Sequence, residues 1–380
     1  MSNCILCEVN ITKMNDSKEH IIPNALGGNS IVKGFICNQC NNNTGKDWDV
    51  KLISQLNPLC LLLGIRRGRG DVKSQSFKTL SGDEYYLRAN GSMIPFKPVY
   101  KKTPIPNGFN YSFIARDIKE AEGFLNGIKK EFPHFDIEGV KEKIKFEETY
   151  LLDDPLHIKI NFGGVKEGMS LIKTLLAFSY SKGIDPHLNK NAISYLKEEI
   201  GPCYGYYYDS KDVIIERSFD KPMHCLAIQG NPKKRKIIGY LEYFGVMRVV
   251  ALLSDNYDGE EFKYSQWLSP EDWSIGEFDF NLDFGSNEIA AIYDYKKYDE
   301  SVYLKVLSDF FDYTQKKGEE REMSRVSEDL AIKLIEGLNK LEGEISRQDF
   351  SKVFNEVYSA SKIQKYILSR VNNGRGRSSK

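Results

Sequence analysis

Two Cys-x-x-Cys pairs, Cys4/Cys7 and Cys37/Cys40, open the chain and constrain it more than anything that follows. Four thiolates at this spacing are the ligand set of a four-coordinate structural zinc. Such an ion would tie the chain start to the segment before Asn41 and close the loop between them. A module this short has little core of its own, so metal binding would supply much of its folding free energy. Disulfides, the other use of paired cysteines, belong to oxidising compartments. The start Met1-Ser2-Asn3-Cys4 lacks the basic and apolar regions of a secretory signal, and no apolar run reaches membrane-spanning length. These features point to a cytoplasmic setting in which the thiols stay reduced. Cys60, Cys203 and Cys225 have no sequence partner and read as small buried apolar residues.

Lys and Arg together number 53 and so do Asp and Glu, giving a formal net charge of zero. A protein that coats nucleic acid by overall charge is excluded, and any such site must be local. At 380 residues the chain has room for two or three domains. The expected class is α+β. Residues 1–57 form an N-terminal module, 58–150 a mixed α+β middle region, 151–320 an α+β body, and 321–380 a helical section with a basic, glycine-rich tail. Asp117 is a candidate cap for a helix carrying Ile118, Ala121, Phe124, Leu125 and Ile128 on one face, and an apolar helix is expected from Met169 to Tyr180. Strand-like runs at 204–208, 213–217, 224–229, 237–244 and 247–253, with short turn signals between the later ones, predict an antiparallel meander. Further helices are expected over Ser327–Leu341 and from Ser346 to Tyr358.

Within the cysteine frame, Glu19-His20-Ile21-Ile22-Pro23 reads as a strand, Gly27-Gly28 as a turn and Phe35-Ile36 as a second strand. Asn41 to Leu56 has helical spacing through Trp48, Leu52, Ile53 and Leu56. Strand, loop, strand and helix on a zinc support resembles the HNH nuclease family, the ββα-metal fold. The residues that carry the resemblance are Glu19-His20-Ile21-Ile22-Pro23, Gly27-Gly28 and Cys37-Asn38-Gln39-Cys40-Asn41, and it covers only about the first fifty residues. It implies a metal-dependent endonuclease with His20 as general base and with Glu19 and Asn41 holding a divalent cation. Chemistry agrees: an imidazole suits deprotonation of water at neutral pH, and oxygen donors suit magnesium or manganese. The resemblance further implies double-stranded DNA as substrate and 5′-phosphate ends as product. Two departures stand out. The position expected to hold a polar residue orienting the base carries Val32, with Asn29 nearby, and a further metal-binding histidine of some relatives is replaced by Gly45.

The basic stretch Arg66, Arg67 and Arg69 is a candidate phosphate contact that solvated side chains explain equally, and Lys46 is another for which a solvated side chain is the favoured explanation. Asp47 and Asp49 read as surface carboxylates, with assistance to the metal as the lesser alternative, and His134, His157, His187 and His224 as structural or surface residues. The tyrosines of Tyr204–Tyr208 read as sheet packing. Three functions stay open: a DNA endonuclease of bacterial restriction or anti-phage defence, a zinc-stabilised nucleic-acid-binding protein that does not cut, and a nuclease latent until a small molecule or protein engages the body. Breaking both strands would call for a homodimer, because one module makes one cut.

Overall fold

The structure, a computed structural model, describes residues 2–65, 67–68, 70–106, 108–141, 154–341 and 345–360. The fold is a mixture of helices and antiparallel sheets, as the α+β expectation held. It divides after Tyr313 into two compact units. No described helix is long and apolar enough to cross a membrane.

The first unit opens with a two-stranded ribbon, β1 (Glu19–His20) against β2 (Ile31–Val32), pairing Glu19 with Val32 and His20 with Ile31. Helix α1 (Asn38–Thr44) follows, then a π-helical stretch, Gly45–Asp49, and α2 (Val50–Leu63). The helical path therefore runs past the expected end at Leu56. Pro58 removes one backbone donor inside α2, yet Leu56, Leu59, Cys60 and Leu61 are fully buried, and that burial outweighs the lost bond. Next come β3 (Gln75–Thr79), β4 (Glu84–Leu87) and β5 (Met93–Pro95), then the hairpin of β6 (Val99–Ile105) and β7 (Gly108–Ile114). Helix α3 (Ile118–Glu131) is capped as expected, with Asp117 Oδ1 accepting from Glu120 N at 2.8 Å. Helix α4 (Ile137–Lys141) and β8 (Leu156–His157) complete this region, β8 extending the β5-β4-β3 sheet.

The body is built on α5 (Val165–Ser181), α6 (Lys190–Leu196), β9 (Tyr204–Tyr206), β10 (His224–Asn231), β11 (Lys236–Tyr243), β12 (Met247–Ser254), β13 (Phe262–Leu268), β14 (Ile275–Gly276) and α7 (Ser286–Tyr293). Its six strands lie in the order β14-β13-β10-β11-β12-β9, all antiparallel. A plain meander was expected, but β13 returns beside β10, since β9 already pairs with the free edge of β12. Val213–Arg217 is not a strand. Ile214 makes a single bridge to Phe280, and Arg217 is drawn out of extended pairing by Asp212 at 2.6 Å and Glu242 at 2.7 Å.

Period-two alternation sorts the side chains of the sheet to two buried faces. Leu226, Ile228, Leu241, Val249 and Ala251 face one apolar cluster; Cys225, Ala227, Tyr240 and Val250 face another with Ile214, Phe280 and Ile292. The first cluster also contains Ile5, Leu26, Phe35, Ile36, Leu52 and Leu56 together with Leu175 and Phe178 of α5. The cysteine-framed segment therefore shares its core with the body.

His224 fastens the two together. Its ring is fully buried, Nε2 lies 2.8 Å from the carbonyl of Leu26, and Nδ1 accepts from Phe244 N at 3.3 Å, which makes Nε2 the protonated nitrogen. Burial pulls its pKa down to about 4, outweighing the opposite pull of the Leu26 carbonyl and Glu242. The unfolded chain, with histidine near 6.5, binds more protons between those values, so stability is complete above about pH 6.5 and is lost as pH falls toward 4. The loss attributable to His224 is expected to be about 3 kcal/mol. Urea unfolding at pH 7 and pH 4.5 measures it, and H224Q should flatten that difference.

Helix α8 (Glu300–Leu338) is continuous across the division between the units, where only Ser327–Leu341 was expected to be helical. No proline interrupts it, and pairs such as Lys305–Asp309 and Lys333–Asp329 support its exposed face. In the second unit α9 (Arg347–Ala360) starts as predicted at Ser346, whose hydroxyl and amide both engage Asp349. The glycine-rich basic tail lies outside the described residues.

Candidate active site

The four sulfurs of Cys4, Cys7, Cys37 and Cys40 lie within 4.8 Å of one another. Cys7 Sγ and Cys37 Sγ are 3.7 Å apart. A tetrahedral zinc with arms of about 2.3 Å requires ligand separations of about 3.8 Å, so the donors fit that ion in number, kind and spacing. Backbone amides already face the sulfurs: Cys37 N donates to Cys4 Sγ at 3.3 Å, and Cys40 N to Cys37 Sγ at 3.5 Å. Burial opposes ionisation of Cys4, but the amides of Cys37, Cys7 and Leu6 outweigh it and bring its pKa down to about 7. Cys37 is also the N-cap of α1, so the frame sets where the helix starts and thereby where Asn41 points.

Glu19, His20 and Asn41 line one cleft of about 220 Å³ with Lys18, Asn24, Gly45, Asp49 and Ile53. Successive strand residues should face opposite ways, but β1 is two residues long and the chain bends at Ile21 and Ile22. The loop that follows needs both its glycines. Gly27 sits at φ +93°, and a side chain at Gly28 would meet the carbonyl oxygen of Ile22 at 1.9 Å. On the helical side, Asn41, Gly45, Asp49 and Ile53 recur every four residues along one wall. An unbroken α-helix would carry Asp49 well off the Asn41 face, and the wider π turn restores it.

Asp49 was expected at the surface, and this is corrected: it is largely buried, accepting from Ser170 Oγ at 2.6 Å and paired with Lys173 Nζ at 2.7 Å. Lys173 Nζ is also 2.8 Å from Glu19 Oε1 and 3.4 Å from Thr44 Oγ1. Sequence reasoning missed Lys173 and Ser170. The signal was a lysine in the midst of Leu171-Ile172-Lys173-Thr174-Leu175-Leu176, where a charge must find a partner once the helix is buried. Burial raises the pKa of Glu19 beyond what Lys173 and the Asn41 side chain offset, with Asp49 adding to the rise. Burial alone would lower Lys173, but Glu19 and Asp49 together hold it raised and charged. The His20 imidazole is lowered, first by burial and then by the Lys173 charge, and is neutral at pH 7.

Val32 is buried opposite Glu19 and offers His20 no polar atom. Asn29 is exposed and accepts from Ser30, so it does not orient the imidazole either. Of the candidate phosphate contacts, Lys46 is exposed and outside the cleft lining, whereas exposed Lys18 lies within it. Arg67 folds back, Nη2 donating to Asn57 Oδ1 at 3.5 Å and Nη1 to the Asp71 carbonyl at 3.4 Å. Arg66 and Arg69 lie outside the described residues. Asp47 stays exposed, 3.4 Å from Lys166. The carboxylate and carboxamide oxygens of Glu19, Asn41 and Asp49 are the hard donors that suit magnesium or manganese.

Neither the curated proteins nor the solved structures compared with this chain contain a match. Residues 4–57, the stretch that frames the cleft, match the model of the HNH endonuclease family, and the likeness is confined to this N-terminal segment.

Proposed function

We propose that the cleft is the active site of a divalent-metal-dependent endonuclease acting on DNA, with zinc in the cysteine cluster. The observation that carries this reading is the convergence of Glu19, His20 and Asn41 in one cleft, on a segment that matches the HNH endonuclease family. Glu19 and Asn41 are the residues that would hold the cation, which when bound supplies positive charge for the pentavalent phosphate and the departing oxygen. His20, kept neutral at pH 7, accepts the proton of the attacking water. Lys18 at the cleft wall meets the incoming backbone. The segment offers a surface for only a short stretch of duplex, so selection of the target falls to the body. A cutter joined to a larger recognition body suits bacterial restriction or anti-phage defence, and breaking both strands would call for two copies of the chain.

A second reading rests on Val32 and Asn29: without a polar group to orient His20, the segment would bind nucleic acid but not cut it. Plasmid nicking with magnesium or manganese separates the two. Cleavage by the intact protein that disappears in H20A, with DNA binding kept, supports the nuclease. Absence of metal-dependent cleavage under all conditions supports the binder.

A further inference from the structure

We propose that Lys173 is a resident counter-ion of the cleft, its ammonium holding the Glu19 and Asp49 carboxylates in place of a divalent cation, so that ammonium and cation compete for the pair. This rests on reading the cleft as a metal-dependent nuclease site.

An ammonium has three protons to donate. Lys173 Nζ has three oxygens around it, Glu19 Oε1 at 2.8 Å, Asp49 Oδ2 at 2.7 Å and Thr44 Oγ1 at 3.4 Å. Its side chain is 3% exposed, so water does not compete for it. Ser170, one turn earlier on α5, takes the other oxygen of Asp49 at 2.6 Å and leaves Oδ2 facing the ammonium. The two carboxylates come from β1 and from the π-helical stretch, whereas the ammonium comes from α5 of the body. Two negative charges against one positive leave the pair with an excess of one negative charge, which still attracts a cation. A positive charge a few ångströms from the incoming ion repels it strongly in a site with little water. Glu19 thus serves two cations in turn, and the body supplies the first. A cleft so arranged takes the metal weakly while the ammonium stays in place, which is a structural basis for restrained activity in the intact chain.

The test is manganese binding by the full-length, zinc-loaded protein, read from the electron paramagnetic resonance signal of free Mn²⁺, with no substrate present. K173M is expected to bind Mn²⁺ at least about tenfold more tightly than the unmodified protein. K173R, which keeps the charge, should bind no more tightly than the unmodified protein. K173M strands two buried carboxylates, at a cost to folding, so K173M/D49N is compared with D49N as well; the double variant is expected to bind more tightly. Equal or weaker Mn²⁺ affinity after loss of the ammonium in a folded variant overturns the proposal, as does the absence of Mn²⁺ binding in every variant. Failure of the nuclease reading looks different: Mn²⁺ affinity would still rise in K173M while no variant nicks DNA.

Discussion

C37S is expected to lower the thermal midpoint of the intact protein by at least about 10 °C, and exhaustive chelation should do the same to the unmodified chain. Structural zinc in short cysteine-bound modules contributes on the order of 10 kcal/mol, and here it is expected to contribute less only because the segment shares apolar partners with α5 and the sheet. Cys37 carries three duties: a thiolate of the cluster, the cap of α1, and the amide facing Cys4. Serine keeps a capping oxygen but gives up a soft ligand, so the loss isolates the metal. Differential scanning calorimetry alongside zinc content by mass spectrometry checks the expectation. A metal-free protein with an unchanged midpoint would remove zinc from the account.

The second large effect is catalytic. H20A should reduce the rate of metal-dependent nicking by about 10²- to 10⁴-fold, the range that a positioned general base supplies. Single-turnover cleavage of a supercoiled plasmid measures it, with equilibrium binding to the same DNA run in parallel. The imidazole is half-buried and bonds to no other described residue, so its removal should leave folding and affinity nearly unchanged. Comparable losses of rate and of binding would mean that His20 anchors DNA and that the base is another group.

Much of this was legible in the residues. The two cysteine pairs, the Glu19-His20 step, the glycine turn and Asn41 are local patterns, and local patterns survive translation into structure because few alternative geometries satisfy them. Asp117 and Ser346 announced their helices for the same reason: a capping side chain acts within three residues of its own position. What the sequence hid was long-range. Lys173 lies more than one hundred and twenty residues from Asp49 (|i−j| = 124), and nothing near either one names the other. The π turn that brings Asp49 round has no compositional mark, and an aspartate in a polar run reads as a surface carboxylate. Likewise, the position of β13 beside β10 depends on which sheet edge is still open, a question that strand propensity does not address.

The apolar cluster common to the cysteine-framed segment and the sheet carries a consequence for engineering. Transplanting residues 4–57 onto another scaffold would bare Leu26, Leu52 and Leu56 to water and strip Glu19 and Asp49 of their only ammonium neighbour among the described residues. The segment that resembles the HNH family is thus not portable. A replacement host must supply both a greasy seat and a lysine at the right depth, and substitutions on α5 can retune the cleft from behind.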